Sequence, residues 1–276
     1  MDHDSGLPDM LLPLTIHCER GGIIIVSCSK VFEVLVSPSS FDKTLEQVVA
    51  ISPDRIALYA YAHLPQRFKP QRRIADHQIP AAPDKLTMLS RSLDYLQKAG
   101  YVYVGMDHFA KATDPLAVAK RQGRLHRNFQ GYSTQPDCDL LALGVSSISK
   151  MGGVYSQNVK TLEEYYDLLD QNLLPVEKGL LMTRDDLIRR EIIMALMCHG
   201  SLVYESINLA YLIEAKTYFT KELKELEHFV KDGLLQMDDS GLQVTAMGWY
   251  FVRGIAMVFD KYLQVSQDHS RFSKIV

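Results

Sequence analysis

Ile56-Ala57-Leu58-Tyr59-Ala60-Tyr61-Ala62 is the stretch that decides the fold class. It is apolar on both faces apart from two tyrosine hydroxyls, as expected of a strand in a sheet covered by helices. Upstream, Phe41, Leu45, Val48 and Val49 recur at i, i+4, i+7 and i+8 and predict a short amphipathic helix. Ser52-Pro53-Asp54 stops it, because proline disfavours helix in the residue before it. Helix then strand is the tail of a β/α repeat. Such repeats present functional residues at the strand's C-terminal end, here Ala62-His63. Before the helix, Ser37-Pro38-Ser39-Ser40 reads as a turn, and Ile23 to Val36 as one or two strands.

Downstream, Pro83 to Ala99 predicts a helix with Leu86, Leu89, Leu93 and Leu96 as its stripe and Gly100 as its cap. Tyr101 to Val104 reads as a strand leading into Met106-Asp107-His108-Phe109. Leu140 to Ser149 and Val154 to Gln157 predict two strands joined at Gly152-Gly153. After Asn158 the pattern becomes mostly helical. Thr161-Leu162-Glu163-Glu164 and Thr183-Arg184-Asp185-Asp186 have the form of capping boxes, each opening a helix. A helix over Thr217 to Lys231, a hairpin through Asp238-Asp239-Ser240-Gly241 and a last helix over Ala246 to Leu263 resemble a winged-helix module.

Composition narrows the function classes. At 276 residues, 47% hydrophobic, the chain can bury a sizeable core, and a net charge of −3 excludes a globally basic nucleic-acid binder. The winged-helix-like stretch from Thr217 to Leu263 has five Lys/Arg against seven acids, which argues against a DNA-binding regulator. From Gln66 to Arg127, by contrast, basic residues outnumber acids more than two to one. That segment reads either as a solvated face or as a site for a polyanion. Cys18, Cys28, Cys138 and Cys198 are far apart and predict free thiols in a reducing compartment. Acidic residues at the start and an interrupted apolar patch at Ile23 to Val26 lead us to expect a soluble, cytoplasmic chain with no signal peptide or membrane span.

Leu125-His126-Arg127-Asn128-Phe129-Gln130-Gly131-Tyr132 has no hydrophobic period and carries a cation, an imidazole, two amides and two aromatic rings. It reads as a loop that either bonds to itself at the surface or grips a flat, polar-edged ligand. His63, His108 and His126 lie on different elements and predict no metal site; Asp107-His108 reads as a structural pair or an acid–base pair.

Tyr59-Ala60-Tyr61-Ala62-His63-Leu64-Pro65, Gly105-Met106-Asp107-His108-Phe109-Ala110, the Leu125–Tyr132 loop and Gly144-Val145-Ser146-Ser147-Ile148-Ser149 occur in one order. In these motifs the chain, from about Phe41 to Val276, resembles the C-terminal half of the oxygen-independent coproporphyrinogen III oxidases. These are radical S-adenosylmethionine enzymes of haem biosynthesis. The resemblance implies an α+β chain of three parts. Residues 1–40 are unmatched, 41–158 are the remnant of a partial (β/α) barrel, and 159–276 form a helical, winged-helix-like domain. It implies oxidative decarboxylation of coproporphyrinogen III, a tetracarboxylate, with S-adenosylmethionine and a 4Fe–4S cluster as cofactors. Ala62 and Ile148 match positions that contact S-adenosylmethionine, and Arg127, Asn128, Phe129 and Gln130 match the cofactor and substrate loop.

The family's cluster needs three thiolates in a C-x3-C-x2-C run, and this sequence has none. The expectation is therefore a truncated, inactive form with no catalytic or metal-binding residue of its own, monomeric, and free of nucleic acid and membrane. The alternatives are a non-catalytic porphyrin- or S-adenosylmethionine-binding protein and, behind it, a winged-helix regulator. Anaerobic reconstitution of the chain with iron and sulfide should leave no bound cluster. About four irons per chain with a charge-transfer band in the visible would refute this.

Overall fold

A computed structural model describes residues 17–19, 23–27, 37–59, 61–66 and 68–265, the first two segments as backbone strands only. The described residues divide into two compact units, those up to 118 and those from 119 to 265.

The first unit contains β1 (His17–Glu19), β2 (Ile23–Ser27), α1 (Pro38–Ile51), β3 (Arg55–Tyr59), α2 (Ala82–Lys98), β4 (Tyr101–Gly105), β5 (His108–Lys111) and the first turn of α3 (Pro115–Arg121). Its five strands lie in the order β1-β2-β3-β5-β4. The stretch around β3 bears out the expected repeat: α1 connects β2 to β3, and the two pair in parallel, Ile23 to Arg55 through Ser27 to Tyr59. Ile56, Ala57 and Leu58 are buried, as a strand covered on both faces requires. The other side of β3 is antiparallel. The Met106-Asp107 stretch is a tight turn, with Met106 at φ 50°, and returns the chain as β5, which pairs β3 and β4. Asp107 therefore belongs to a turn and His108 to a strand.

Ser37-Pro38-Ser39-Ser40, expected as a separate turn, is the start of α1. Ser37 is the N-cap, and its hydroxyl accepts from the Ser40 N–H at 3.2 Å. In α2 the buried line is Met88, Ser92 and Leu96, while Leu86 is exposed. Ser92 donates to the Met88 carbonyl at 2.6 Å, so its hydroxyl is satisfied locally where a small side chain is needed for α1 and α2 to pack.

The second unit contains β6 (His126–Asn128), β7 (Gly131–Ser133), β8 (Ile148–Met151), β9 (Val154–Asn158), α4 (Leu162–Asp170), β10 (Val176–Leu181), α5 (Arg184–His199), β11 (Ser201–Val203), α6 (Tyr204–Tyr211), α7 (Ala215–Tyr218), α8 (Thr220–Lys231), β12 (Leu235–Met237), β13 (Gly241–Val244), α9 (Val252–Met257) and α10 (Lys261–Val265). Its core is one face of α5, Ile188, Ile192 and Leu196, with Leu226, Leu235 and Phe259. Phe219 meets Phe259 edge-on at 5.5 Å between centroids. The winged-helix-like part is complete: β11 joins the expected hairpin in the order β11-β13-β12. Two glycines permit this. Gly200 caps α5 at φ +67° against the Trp249 ring, and a Cβ on Gly241 would lie 1.9 Å from the Leu202 carbonyl oxygen.

Four details depart from the sequence reading. The Leu125–Tyr132 stretch is a hairpin, Arg127 opposite Tyr132, because Phe129-Gln130 makes a two-residue turn. The expected strand from Leu140 begins only at Ile148, with a single bridge from Leu140 to Lys150. The last expected helix is broken into a 3-10 turn, α9 and α10. Residues 176–181, expected within helical sequence, form β10 and pair with β9.

That last pairing bears on the expected boundary at 158/159, which falls inside the second unit. A fragment of residues 159–276 leaves β10 without its partner strand, whereas 119–266 keeps all three strands. On thermal melting followed by circular dichroism, 119–266 should unfold cooperatively, and 159–276 should melt at lower temperature with a smaller amplitude.

Candidate functional site

The second unit carries an open cavity of about 740 Å³, within the range of small-molecule and cofactor sites. One wall is the three-stranded sheet. Ile148 pairs with Gln157 and Lys150 with Tyr155, while Lys178 and Leu180 of β10 face those same residues of β9. Alternation along each strand puts all six on one face, and all six line the cavity. The second wall is the face of α5 turned from the core, including Arg190, Ile193 and Met194. This explains why α5 has a weak apolar stripe in sequence: both of its sides are covered.

The β6–β7 hairpin forms the third wall. Asn128 Oδ1 accepts from the Gln130 N–H at 2.8 Å and tightens the turn. Tyr132 is buried and donates to the Met197 carbonyl of α5 at 2.9 Å, which pins the hairpin to the helix. Phe129 is 53% exposed and meets the Tyr155 ring edge-on at 5.2 Å. The Arg127 guanidinium lies 5.1 Å from the Tyr132 ring, and its Nη1 is buried with no hydrogen-bond partner among the described residues.

Charge in the cavity falls into two groups. At the N-terminus of α5, Thr183 and Asp186 cap each other, and Lys261 bridges Asp185 at 2.9 Å and Asp186 at 2.6 Å. Arg189 binds Asp185 at 3.0 Å and Glu222 at 2.8 Å. Burial pushes the Asp186 carboxyl up, but hydrogen bonds from Lys261 and Thr183 outweigh it and hold it well below the usual carboxylate range. Asp185 is also lowered: burial raises it, and Lys261, Tyr218 and Arg189 overcome this. In the second group Arg190 donates through Nη1 and Nη2 to the two oxygens of Asp137 at 2.9 and 2.8 Å, and through Nε to the Tyr155 hydroxyl at 2.9 Å. Lys150 also binds Asp137.

Of the residues expected at the site, Arg127, Asn128, Phe129 and Ile148 come together on this cavity, whereas Gln130 is exposed beyond its lining. Ala62 lies in the first unit after β3, its carbonyl accepting from Gln71 at 3.2 Å. Lys150, Tyr155, Lys178 and Arg190 escaped sequence reading. The alternation Ile148/Lys150 and Tyr155/Gln157 was the available signal.

Among the described residues no group of three or more His, Cys, Asp or Glu is placed to hold a metal ion. Cys138 is exposed, while burial pushes the thiol of Cys198 up to about 12, far from the thiolate that ligates iron. These residues do not fit a three-thiolate cluster. No helix among the described residues is long and apolar enough to cross a membrane.

The fold has counterparts among known proteins. The family model for the HemN C-terminal domain matches residues 182–251. The solved structure titled as coproporphyrinogen III oxidase (HemN) from Escherichia coli, a radical SAM enzyme, matches with a TM-score of 0.83 and 43% identity, over 88% of this chain and 55% of that one. An oxygen-independent coproporphyrinogen III oxidase of Pseudomonas aeruginosa is 45% identical over 87% of this chain and 52% of its own. One from Thermostichus vulcanus is 42% identical over 86% of this chain and 73% of its own. The class is thus the α+β fold of a radical SAM enzyme. The chain belongs to the oxygen-independent coproporphyrinogen III oxidase family and spans about half the length of the first curated relatives it matches.

The Asp185–Asp186–Lys261 cluster makes stability depend on acid. Both carboxyls are lowered by folding, so their contribution is complete above the ordinary carboxylate pKa of about 4 and is lost as pH falls through the folded values. Lys261→Ala should cost about 2 kcal/mol at neutral pH, less than a fully buried pair because Lys261 is part-exposed. It should also shrink the fall in melting temperature between pH 5 and pH 3. An equally steep acid fall in the variant would place the dependence elsewhere.

Proposed function

We propose that this chain supplies the porphyrinogen-binding part of a coproporphyrinogen III oxidase and that the cavity between α5, the β6–β7 hairpin and the sheet receives the tetracarboxylate. The observation that carries this reading is Arg127, whose Nη1 is buried beside the cavity without a hydrogen-bond partner among the described residues. An unpaired buried guanidinium nitrogen is costly, and a ligand carboxylate would satisfy it with a charge-assisted bond. Ile193, Met194, Leu180 and the Phe129 ring offer apolar surface for pyrroles, while Lys150, Lys178 and Arg190 offer further cations. Charge balance supports the same ligand class: the cavity is lined by six lysines and arginines against three aspartates.

In this reading Ile148, on the wall of the cavity, keeps the role that the family resemblance gives it toward S-adenosylmethionine, the source of the radical in the family. Reduction of that cofactor requires the iron–sulfur cluster. The four cysteines, at 18, 28, 138 and 198, have no C-x3-C-x2-C spacing, so these 276 residues bind the substrate without performing the radical step by themselves. Haem biosynthesis is the setting this implies.

Coproporphyrin III, the stable oxidised form, is the probe. Its fluorescence titration against the full chain should be saturable and should weaken with salt. Arg127→Ala should weaken it by about tenfold or more, the loss of one charged hydrogen bond. Lys221→Ala, on α8 outside the cavity lining, should leave it unchanged. Affinity indifferent to Arg127→Ala would overturn the reading.

A further inference from the structure

A carboxylate already lies on the sheet-side cations of the cavity, and it belongs to the chain itself. Asp137 stands in the irregular stretch between β7 and the Leu140 bridge. Its side chain is 45% exposed, whereas those of the two cations it joins, Lys150 and Arg190, are 13% and 19% exposed. The carboxylate thus approaches from solvent onto cations held in the wall. Arg190 is positioned independently of it, since its Nε donates to Tyr155 at 2.9 Å from the neighbouring strand. The two remaining nitrogens form a fork already shown to accept a carboxylate, at 2.9 and 2.8 Å. Lys150 arrives from β8 at the same Asp137 oxygen as Arg190 Nη2. Both cations line the cavity that Arg127 also lines.

We infer that Arg190 and Lys150 form a second carboxylate receptor in this cavity, and that Asp137 occupies it as a placeholder which an acidic ligand displaces. The inference rests on the porphyrinogen-binding reading only for the identity of the ligand; the receptor geometry stands apart from it. Exchange of one carboxylate for another keeps both cations paired throughout, so neither is left buried and alone. The stretch bearing Asp137 contributes no residue to a named helix or strand; it is anchored at Asp139, which accepts from the Gly152 N–H at 2.6 Å, and at the Leu140 bridge, and the Asp137 side chain can swing away while both anchors hold. A ligand must overcome the closed arrangement, which lowers its apparent affinity by the fraction of molecules open. A single anionic group binding elsewhere gains nothing from the receptor, so the placeholder selects ligands with several carboxylates.

The test uses the full chain and two probes, coproporphyrin III and the small dicarboxylate glutarate. Asp137→Asn keeps the shape of the side chain and removes its charge. It should tighten coproporphyrin III by on the order of tenfold and should allow glutarate to raise the melting temperature at lower concentration than in the unaltered chain. Arg190→Gln should weaken coproporphyrin III, and Asp137→Asn should give no gain when Arg190→Gln is present. If Asp137→Asn is folded and tightens neither probe, the placeholder is refuted, even where Arg127→Ala still weakens coproporphyrin III and the porphyrinogen reading stands. If coproporphyrin III binds no variant yet glutarate favours Asp137→Asn, the receptor stands and the ligand assignment fails. Should Asp137→Asn not fold, hydrogen exchange of residues 134–139 in the unaltered chain decides. Exchange that rises on saturation with coproporphyrin III, or with glutarate if the porphyrin does not bind, supports displacement; unchanged or greater protection overturns it.

Discussion

The second unit depends on α5 being covered on two sides. Ile188, Ile192 and Leu196 supply one side, packed among Leu226, Leu235 and Phe259. Arg190, Ile193 and Met194 supply the other, facing the cavity. A helix in this position cannot shift to improve one contact without spoiling the other, because close-packed interiors resist small displacements. Its ends are held accordingly: Thr183 and Asp186 cap the first turn, and Gly200 closes the last against Trp249. The hairpin that carries Arg127 is tied to the same helix through Tyr132 and the Met197 carbonyl. Cavity shape is therefore set by the element that also organises the core.

The two charge groups along that helix differ in kind. Around Asp185 and Asp186, Lys261 and Arg189 are held by carboxylates from α5 and α8, and the arrangement is a brace. Around Arg190 and Lys150 a single carboxylate from an irregular loop serves two cations. Arg127, in the same lining, has a buried nitrogen with no hydrogen-bond partner among the described residues. For the polyanion binding proposed above, rigid brace and incompletely paired wall would supply cations fixed in advance, so that little ordering remains to be done on binding.

Membership of the coproporphyrinogen III oxidase family and the absence of its thiolate run from this sequence point in different directions. The fold and the overall sequence match the family. The cysteines do not. Among them Cys198 is buried behind the cavity, where desolvation keeps it a neutral thiol despite the charges of Arg127 and Arg190. Under the proposed function the second unit serves substrate recognition, and radical generation draws on other parts of the family's sequence.

The sequence by itself determined what depends on local patterns. The apolar run at Ile56 declared a covered strand because both faces lacked charge. Pro83 and Gly100 bounded α2, and Thr183 with Asp186 opened α5, because caps satisfy backbone groups a few residues away. The Arg127–Phe129 stretch stood out because no core element uses that mixture. Only the tertiary structure decided which of these residues meet. Lys150, Tyr155 and Arg190 come from two strands and a helix, and Asp137 reaches Arg190 across 53 positions. β10 hid within sequence read as helical because its six residues are all exposed and show no burial period, and only pairing with β9 makes it a strand. Contacts between residues far apart in sequence leave no local period, and the cavity is built from such contacts.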